Sequence, residues 1–152
     1  MTIVNKASLF SALSEPTLRQ IEALGESKSY LPGTFIFHEG DPANHLYVLQ
    51  DGRVRLRVGE EGQVAYMLGA PGEIFGWASM ANLAEYTLSA QCVLPVRTVL
   101  FERRALLRIL DADPPSGLLF YRRLSELIGQ RLINSYKATV SVHGEKSSLS
   151  YG

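Results

Sequence analysis

Between Ser27 and Glu102 the chain is cut by glycine into short runs of β-forming residues, and this punctuation limits the possible folds more than any other feature. The runs are Thr34 to Phe37, Leu46 to Gln50, Arg53 to Val58, Gln63 to Leu68, Thr87 to Val93 and Val96 to Glu102. Many short strands at this spacing predict a barrel or sandwich. Within one run Arg53, Arg55 and Arg57 alternate with Val54, Leu56 and Val58, the period of a strand with one buried and one wet face, so the arginines read as a solvated face. Asp51-Gly52 reads as a hairpin turn because both residues tolerate positive φ, and Glu61-Gly62 repeats the device. Gly33, Gly40, Gly52 and Gly72 fall at strand junctions, where a tightly closing barrel needs unusual backbone angles.

Helical texture flanks the strands. Ser14-Glu15-Pro16 is a helix start, with a side-chain acceptor at the cap and proline in the first turn. Leu18, Ile21 and Leu24 then recur at helical spacing until Gly25 ends the helix. After Glu102 come Leu106, Leu107, Ile109 and Leu110, then a break at Asp113-Pro114-Pro115. A longer helix is predicted from about Ser116 to the region of Tyr136, with Leu124, Leu127, Ile128 and Leu132 as its apolar stripe. From Ser141 on there is no periodicity, which predicts a loose tail.

With 152 residues, 46% of them hydrophobic, the chain can bury one core and is short for two. Fifteen basic residues balance fifteen acidic ones, so no global field draws it to nucleic acid or to an anionic membrane. Cys92 is the only cysteine, which excludes an intrachain disulfide and any multi-cysteine zinc site. The first thirty residues hold no apolar run of signal-peptide length, and no stretch approaches a membrane span, so a cytoplasmic location is expected. His38, His45 and His143 form no His-x-His pair, and no Walker loop, dinucleotide fingerprint or nucleophile-base spacing occurs. No enzymatic activity, cofactor or metal is expected.

Three segments resemble the cyclic nucleotide-binding domains of catabolite-activator-like regulators, kinase regulatory subunits and gated channels. Leu9-Phe10 with the helix to Leu24 resembles the N-terminal helical element of that family. Leu31-Pro32-Gly33, Phe37-His38-Glu39-Gly40-Asp41, Leu46-Tyr47-Val48-Leu49, Asp51-Gly52 and Val54-Arg55-Leu56 resemble its first strands in order and spacing. Gly72-Glu73-Ile74-Phe75-Gly76-Trp77-Ala78-Ser79-Met80 resembles its phosphate-binding cassette, a turn of helix whose free backbone N–H groups face the cyclic phosphate. The resemblance implies a mainly β protein with flanking helices: an N-terminal helical element (1–26), an eight-stranded jelly-roll-like barrel (27–102) and C-terminal helices (103–138), with 139–152 as the loose tail.

The cassette departs from the family pattern at the two side chains that usually hold cyclic AMP. Where the family carries a glutamate for the ribose hydroxyl, this chain has Trp77. Where it carries an arginine before a Ser/Thr-Ala pair, spacing places Tyr86 with Thr87, or, two residues on, Leu88 with Ser89-Ala90. Neither register supplies a guanidinium: from Val58 to Val96 there is no lysine, arginine or histidine, while Glu60, Glu61, Glu73 and Glu85 give a formal charge of minus four. Losing one buried charge-assisted contact to a ligand anion costs about 2–5 kcal/mol, so ordinary cyclic AMP recognition is not expected.

The candidate ligand-binding residues are therefore Phe75, Gly76, Trp77, Ala78, Ser79, Tyr86, Thr87, Leu88 and Ser89, together with Ser135 and Tyr136 at the far end of the long helix, which in the family covers the ligand. Trp77 and Tyr86 either line a changed pocket or pack together and close it. The hydroxyls of Ser79, Thr87 and Ser89 serve either a ligand or nearby backbone. The resemblance also implies a homodimer through the long helix, the alternative being that its apolar stripe packs on its own barrel. Sixteen residues follow Tyr136, too few for a helix-turn-helix, so no direct DNA contact is expected from this chain. The function that follows is a non-enzymatic module sensing a small molecule. The rivals are a ligand-free dimerisation module and the sensor half of a longer transcription regulator.

Overall fold

The computed structural model describes residues 3–59 and 61–143, with side chains as far as 138. Eight strands run in the order β1 (Glu26–Tyr30), β2 (Phe35–Phe37), β3 (His45–Asp51), β4 (Val54–Arg57), β5 (Val64–Leu68), β6 (Ile74–Phe75), β7 (Ser89–Cys92) and β8 (Val96–Glu102). Helices α1 (Ile3–Lys6) and α2 (Glu15–Leu24) precede them, and α3 (Arg103–Asp111) and α4 (Pro114–His143) follow. The strands form two four-stranded sheets, β1-β8-β3-β6 and β2-β7-β4-β5, with every pairing antiparallel. This is the expected jelly-roll arrangement of eight strands, but among the described residues no ladder joins the two sheets into a closed barrel.

Side-chain alternation sorts the core into two parts. Tyr47, Leu49, Phe75 and Leu100 of the first sheet face Phe37, Leu56, Leu68 and Ala90 of the second and fill the space between them. Leu46, Val48, Ile74, Val99 and Phe101, on the opposite face of the first sheet, pack against Phe10, Ile21, Leu106, Phe120 and Leu124 from the helices. The central strands β3 and β8 of the first sheet are thus buried on both faces, which requires their nearly unbroken apolar runs.

Several local expectations change. Gly33, Gly40, Gly52 and Gly72 all have positive φ, but Asp51-Gly52 is not a hairpin, because β3 and β4 belong to different sheets and the turn carries the chain from one to the other. At Gly52 an added Cβ would lie 2.3 Å from the Pro95 carbonyl oxygen, so the crossing admits no side chain. Gly25 ends α2 in extended, not left-handed, conformation, and its absent Cβ lets the chain pass Val99, whose Cγ1 would otherwise be 2.6 Å away. The long helix begins at Pro114, earlier than predicted, since prolines in a first turn lack only N–H groups that no helical carbonyl needs. It continues to His143, into the region predicted as a tail, while residues 144–152 and the side chains of 139–143, His143 included, lie outside the described residues. Among the described residues no helix is long and apolar enough to cross a membrane.

Ser14 does not cap α2 with its side chain. Its Oγ instead donates to Asp113 Oδ2 at 2.6 Å, and Thr17 Oγ1 (2.7 Å) and Ser116 Oγ (2.6 Å) donate to the same oxygen. Ser116 Oγ in turn accepts the Ser14 N–H at 3.0 Å. These hydroxyl donors, Ser116 first, hold the Asp113 carboxyl well below the usual carboxylate range. The cluster pins the start of α4 to the start of α2. Because the pKa is depressed in the folded state, the stabilisation is full above the ordinary aspartate pKa and fades as pH falls toward the lowered value. Asp113→Asn is expected to lower Tm by a few degrees near neutral pH, the gap to wild type narrowing steadily as pH falls below about 4. Thermal melts across that range test it, and a pH-independent gap would assign the effect to shape and not to charge.

Candidate functional site

The cassette begins on β6, whose two residues face opposite ways: Ile74 toward the helices and Phe75 into the space between the sheets. Gly76 then takes the left-handed conformation, φ 73°, and an added Cβ would come within 3.0 Å of both the His45 carbonyl oxygen and Tyr47 Cδ1. Trp77–Met80 follow as a 3-10 turn. Ser79 is buried, and both its N–H (3.2 Å) and its hydroxyl (2.7 Å) donate to the Gly76 carbonyl, so the hydroxyl serves its own turn. Ala78 joins the core between the sheets, while Met80 is buried in the helical core and Trp77 packs against it.

Tyr86 occupies the interior opposite this turn. Its ring stacks on Phe37 with centroids 3.7 Å apart and 14° between planes. Its hydroxyl donates to the His45 carbonyl at 2.7 Å and accepts the His45 N–H at 3.0 Å, completing backbone groups at the start of β3. Backbone bonds from Tyr86 N–H to the Asp41 carbonyl (3.0 Å) and from Gly40 N–H to the Tyr86 carbonyl (2.9 Å) fix where that ring enters. Tyr47 stacks on Phe75 at 5.0 Å, so four aromatic rings fill this end of the interior. Burial pushes the phenols of Tyr47 and Tyr86 up, and both are neutral at physiological pH.

The space left is about 20 Å³, lined by Gly76, Trp77, Ala78, Tyr86, Thr87 and Leu88 with Phe37 and Leu56. A cavity of this size holds about one water molecule, whereas small-molecule sites run to several hundred Å³. None of its lining residues is charged. Six of the expected ligand residues therefore meet at one cavity, and both candidates for the missing arginine, Tyr86 and Leu88, are among them. Phe75 and Ser79 are buried and do not line it, and Ser89 Oγ accepts the Glu39 N–H at 2.8 Å. Ser135 and Tyr136 lie on α4 and do not line it. Among the described residues no group of His, Cys, Asp and Glu is placed to hold a metal ion.

Sequence reasoning missed Phe37 and Leu56, which reach the cavity from the facing sheet, and it missed Arg131. That guanidinium extends from α4 to donate through Nη2 to the Ile74 carbonyl, two residues before Gly76, and lies 5.0 Å over the Tyr66 ring. Its spacing of four residues from Leu127 places it on the core-facing side of the helix, which was the available signal.

Residues 27–113 match the family described as the cyclic nucleotide-binding domain. The chain is 28% identical over 116 residues to a cAMP-dependent protein kinase regulatory subunit of Hypocrea atroviridis, covering 76% of this chain and 24% of that one. A putative cyclic nucleotide-binding protein from Geobacter metallireducens is 27% identical, with a TM-score of 0.75 over 85% of this chain and 95% of that one. A cyclic nucleotide-binding domain from Methylobacillus flagellatus is 25% identical, with a TM-score of 0.77 over 97% of this chain and 83% of that one. The chain spans less than two thirds of the length of the curated relatives it matches. The match over more than half of its residues, on a two-sheet jelly roll with a glycine-started turn between β6 and β7, makes the chain a member of the cyclic nucleotide-binding domain family.

Proposed function

We propose that the chain is a non-enzymatic regulatory module in which movement of the cassette turn is passed to α4, and that ordinary cyclic AMP is not its ligand. One observation carries the coupling: the turn straddles the two cores, with Ala78 between the sheets and Met80 among the helices beside Leu124 of α4. Displacement of the turn on one side displaces packed atoms on the other. A ligand acts through this link to the extent that it binds one position of α4 better than another.

Against cyclic AMP stand the filled interior and the absence of charge in its lining. Opening the cavity requires Tyr86 to leave Phe37 and surrender both bonds to His45. At typical values for neutral hydrogen bonds and an aromatic pair this costs about 2–4 kcal/mol, roughly thirty- to a thousandfold in affinity, before any contact is gained. A flatter, less charged molecule that stacks on Trp77 or Tyr86 is the class that fits. The 20 Å³ cavity also favours a second reading, a ligand-free module that keeps α4 for assembly alone.

In both readings α4 joins two chains. Leu124 is buried in the chain's own core and Leu127 and Ile128 pack against it, so much of the predicted seam is used internally. Leu118, Tyr121, Leu132 and Ile133 remain exposed, and Leu118, Tyr121, Ser125, Ile128 and Leu132 follow the alternating three-and-four spacing of a coiled-coil seam. A two-fold pairing along this stripe is the proposed assembly.

Thermal-shift and calorimetric titration of the purified chain with cyclic AMP is expected to show no saturable effect, whereas a panel of cyclic dinucleotides and nucleotide-like aromatics separates sensing from the ligand-free reading. Cyclic AMP binding that Tyr86→Ala or Trp77→Ala abolishes would overturn the assignment. Native mass spectrometry is expected to show a dimer that Leu118→Glu combined with Leu132→Glu converts to monomer with Tm little changed, since both side chains are about half exposed in the single chain. A variant that stays dimeric would move the interface elsewhere.

A further inference from the structure

β6 lies at the edge of its sheet. The Glu73 carbonyl accepts the Leu49 N–H at 2.8 Å, so the next carbonyl, that of Ile74, points away from β3 to the free edge. Tyr66 is on β5, the edge strand of the other sheet. Arg131, bonded to the Ile74 carbonyl and stacked on Tyr66, stands in the gap where the two sheets fail to join.

Beside it opens a cavity of about 590 Å³, within the range of small-molecule sites, sharing no lining residue with the cassette cavity. Lys6, Arg123 and Arg131 line it against the carboxylates of Glu73 and Glu126. Glu73 Oε1 already accepts the N–H groups of Ala70 (2.8 Å) and Gly69 (3.4 Å), and Glu126 is exposed. Arg123 Nη1 donates to Ser11 Oγ at 2.7 Å and to the Ser8 carbonyl at 3.4 Å. Its Nε, and Nη1 of Arg131, are buried with no hydrogen-bond partner among the described residues. Buried donors are rarely left unpaired. Burial pulls the Arg131 pKa down, with Tyr66 and Glu73 acting the other way, and a guanidinium stays charged.

Arg123, Leu127 and Arg131 follow at four-residue intervals on one helix face, the two arginines about 12 Å apart along the axis. Donors so spaced suit one molecule carrying several anionic oxygens better than a single phosphate. We propose that this cavity is a binding site for a small multiply charged oxyanion, held between Arg123 and Arg131 with Lys6 at its rim, and that its occupant fixes α4 across the gap between the sheets. The inference is independent of whether the cassette cavity takes a ligand.

The full chain is to be titrated with inorganic tripolyphosphate and, separately, with citrate, at about 0.15 M salt so that exposed charges are screened. Calorimetry reports binding, and Trp77, the only tryptophan and three residues from Ile74, reports by fluorescence whether the seam responds. Saturable one-to-one binding is expected with at least one probe, weakened about tenfold or more by Arg123→Gln and by Arg131→Gln, the loss typical of a charge-assisted hydrogen bond. Arg104→Gln, on the exposed face of α3, is expected to leave it unchanged. Preference for tripolyphosphate identifies a phosphate ligand and preference for citrate a carboxylate one. If Arg131→Gln does not fold, Arg123→Gln decides, since its partners lie in the exposed turn at Ser8 and Ser11. No saturable binding of either probe, or equal weakening by Arg104→Gln, overturns the proposal. The cassette is read with cyclic nucleotides, so failure of one proposal is distinguishable from failure of the other.

Discussion

The two-sided burial of β3 and β8, the central strands of the first sheet, is the constraint on which the rest of the structure depends. Leu46 and Val48 face the helices and Tyr47 and Leu49 the second sheet, so a single seven-residue strand contributes to both cores. Each fully buried aliphatic or aromatic side chain contributes about 1.5–3 kcal/mol relative to exposure. A sheet wedged between two cores cannot shift on one face without disturbing the other. The helices are therefore part of the same packed body as the strands, and the Asp113 cluster fixes where that body's two helical ends meet.

This coupling gives the cassette its meaning. The turn Trp77–Met80 continues the arrangement past the end of β6, with Ala78 in one core and Met80 and Trp77 at the other. What differs from the cyclic AMP pattern of the family is the filling. The Tyr86 ring is stacked on Phe37 and bonded to the backbone of β3, and no charged residue lines the space that remains, so the interior at this end is neutral and nearly full.

The parts of this organisation that were legible in the sequence are those with local causes. β3, β4 and β8 show their burial as apolar runs or strict alternation, and positive φ at Gly33, Gly40, Gly52 and Gly72 follows from turns that need it. β1 was not read as a strand because Glu26–Ser29 is polar and exposed, an edge strand paired only with β8. β6 is two residues long and is hidden within the glycine-rich turn it precedes. Which strands share a sheet has no local signal, which is why Asp51-Gly52 looked like a hairpin. Ser14 and Asp113 are 99 positions apart, and an N-terminal serine gives no sign that its hydroxyl is used by a carboxylate at the other end of the chain. At the site, the replaced residues Trp77 and Tyr86 were legible by comparison with a pattern. Phe37 and Leu56 were not, because they reach it from distant segments, nor was Arg131, which meets the strand before the turn from the long helix α4.

A hydrogen-bonded ladder sets the bore of a barrel by its register, and altering that bore demands coordinated change along a whole strand. Here the opening between β5 and β6 is spanned by one guanidinium on a helix. A contact made by one side chain is set by a single codon. Such a seam can be altered by point substitution while the ladders on either side stay intact.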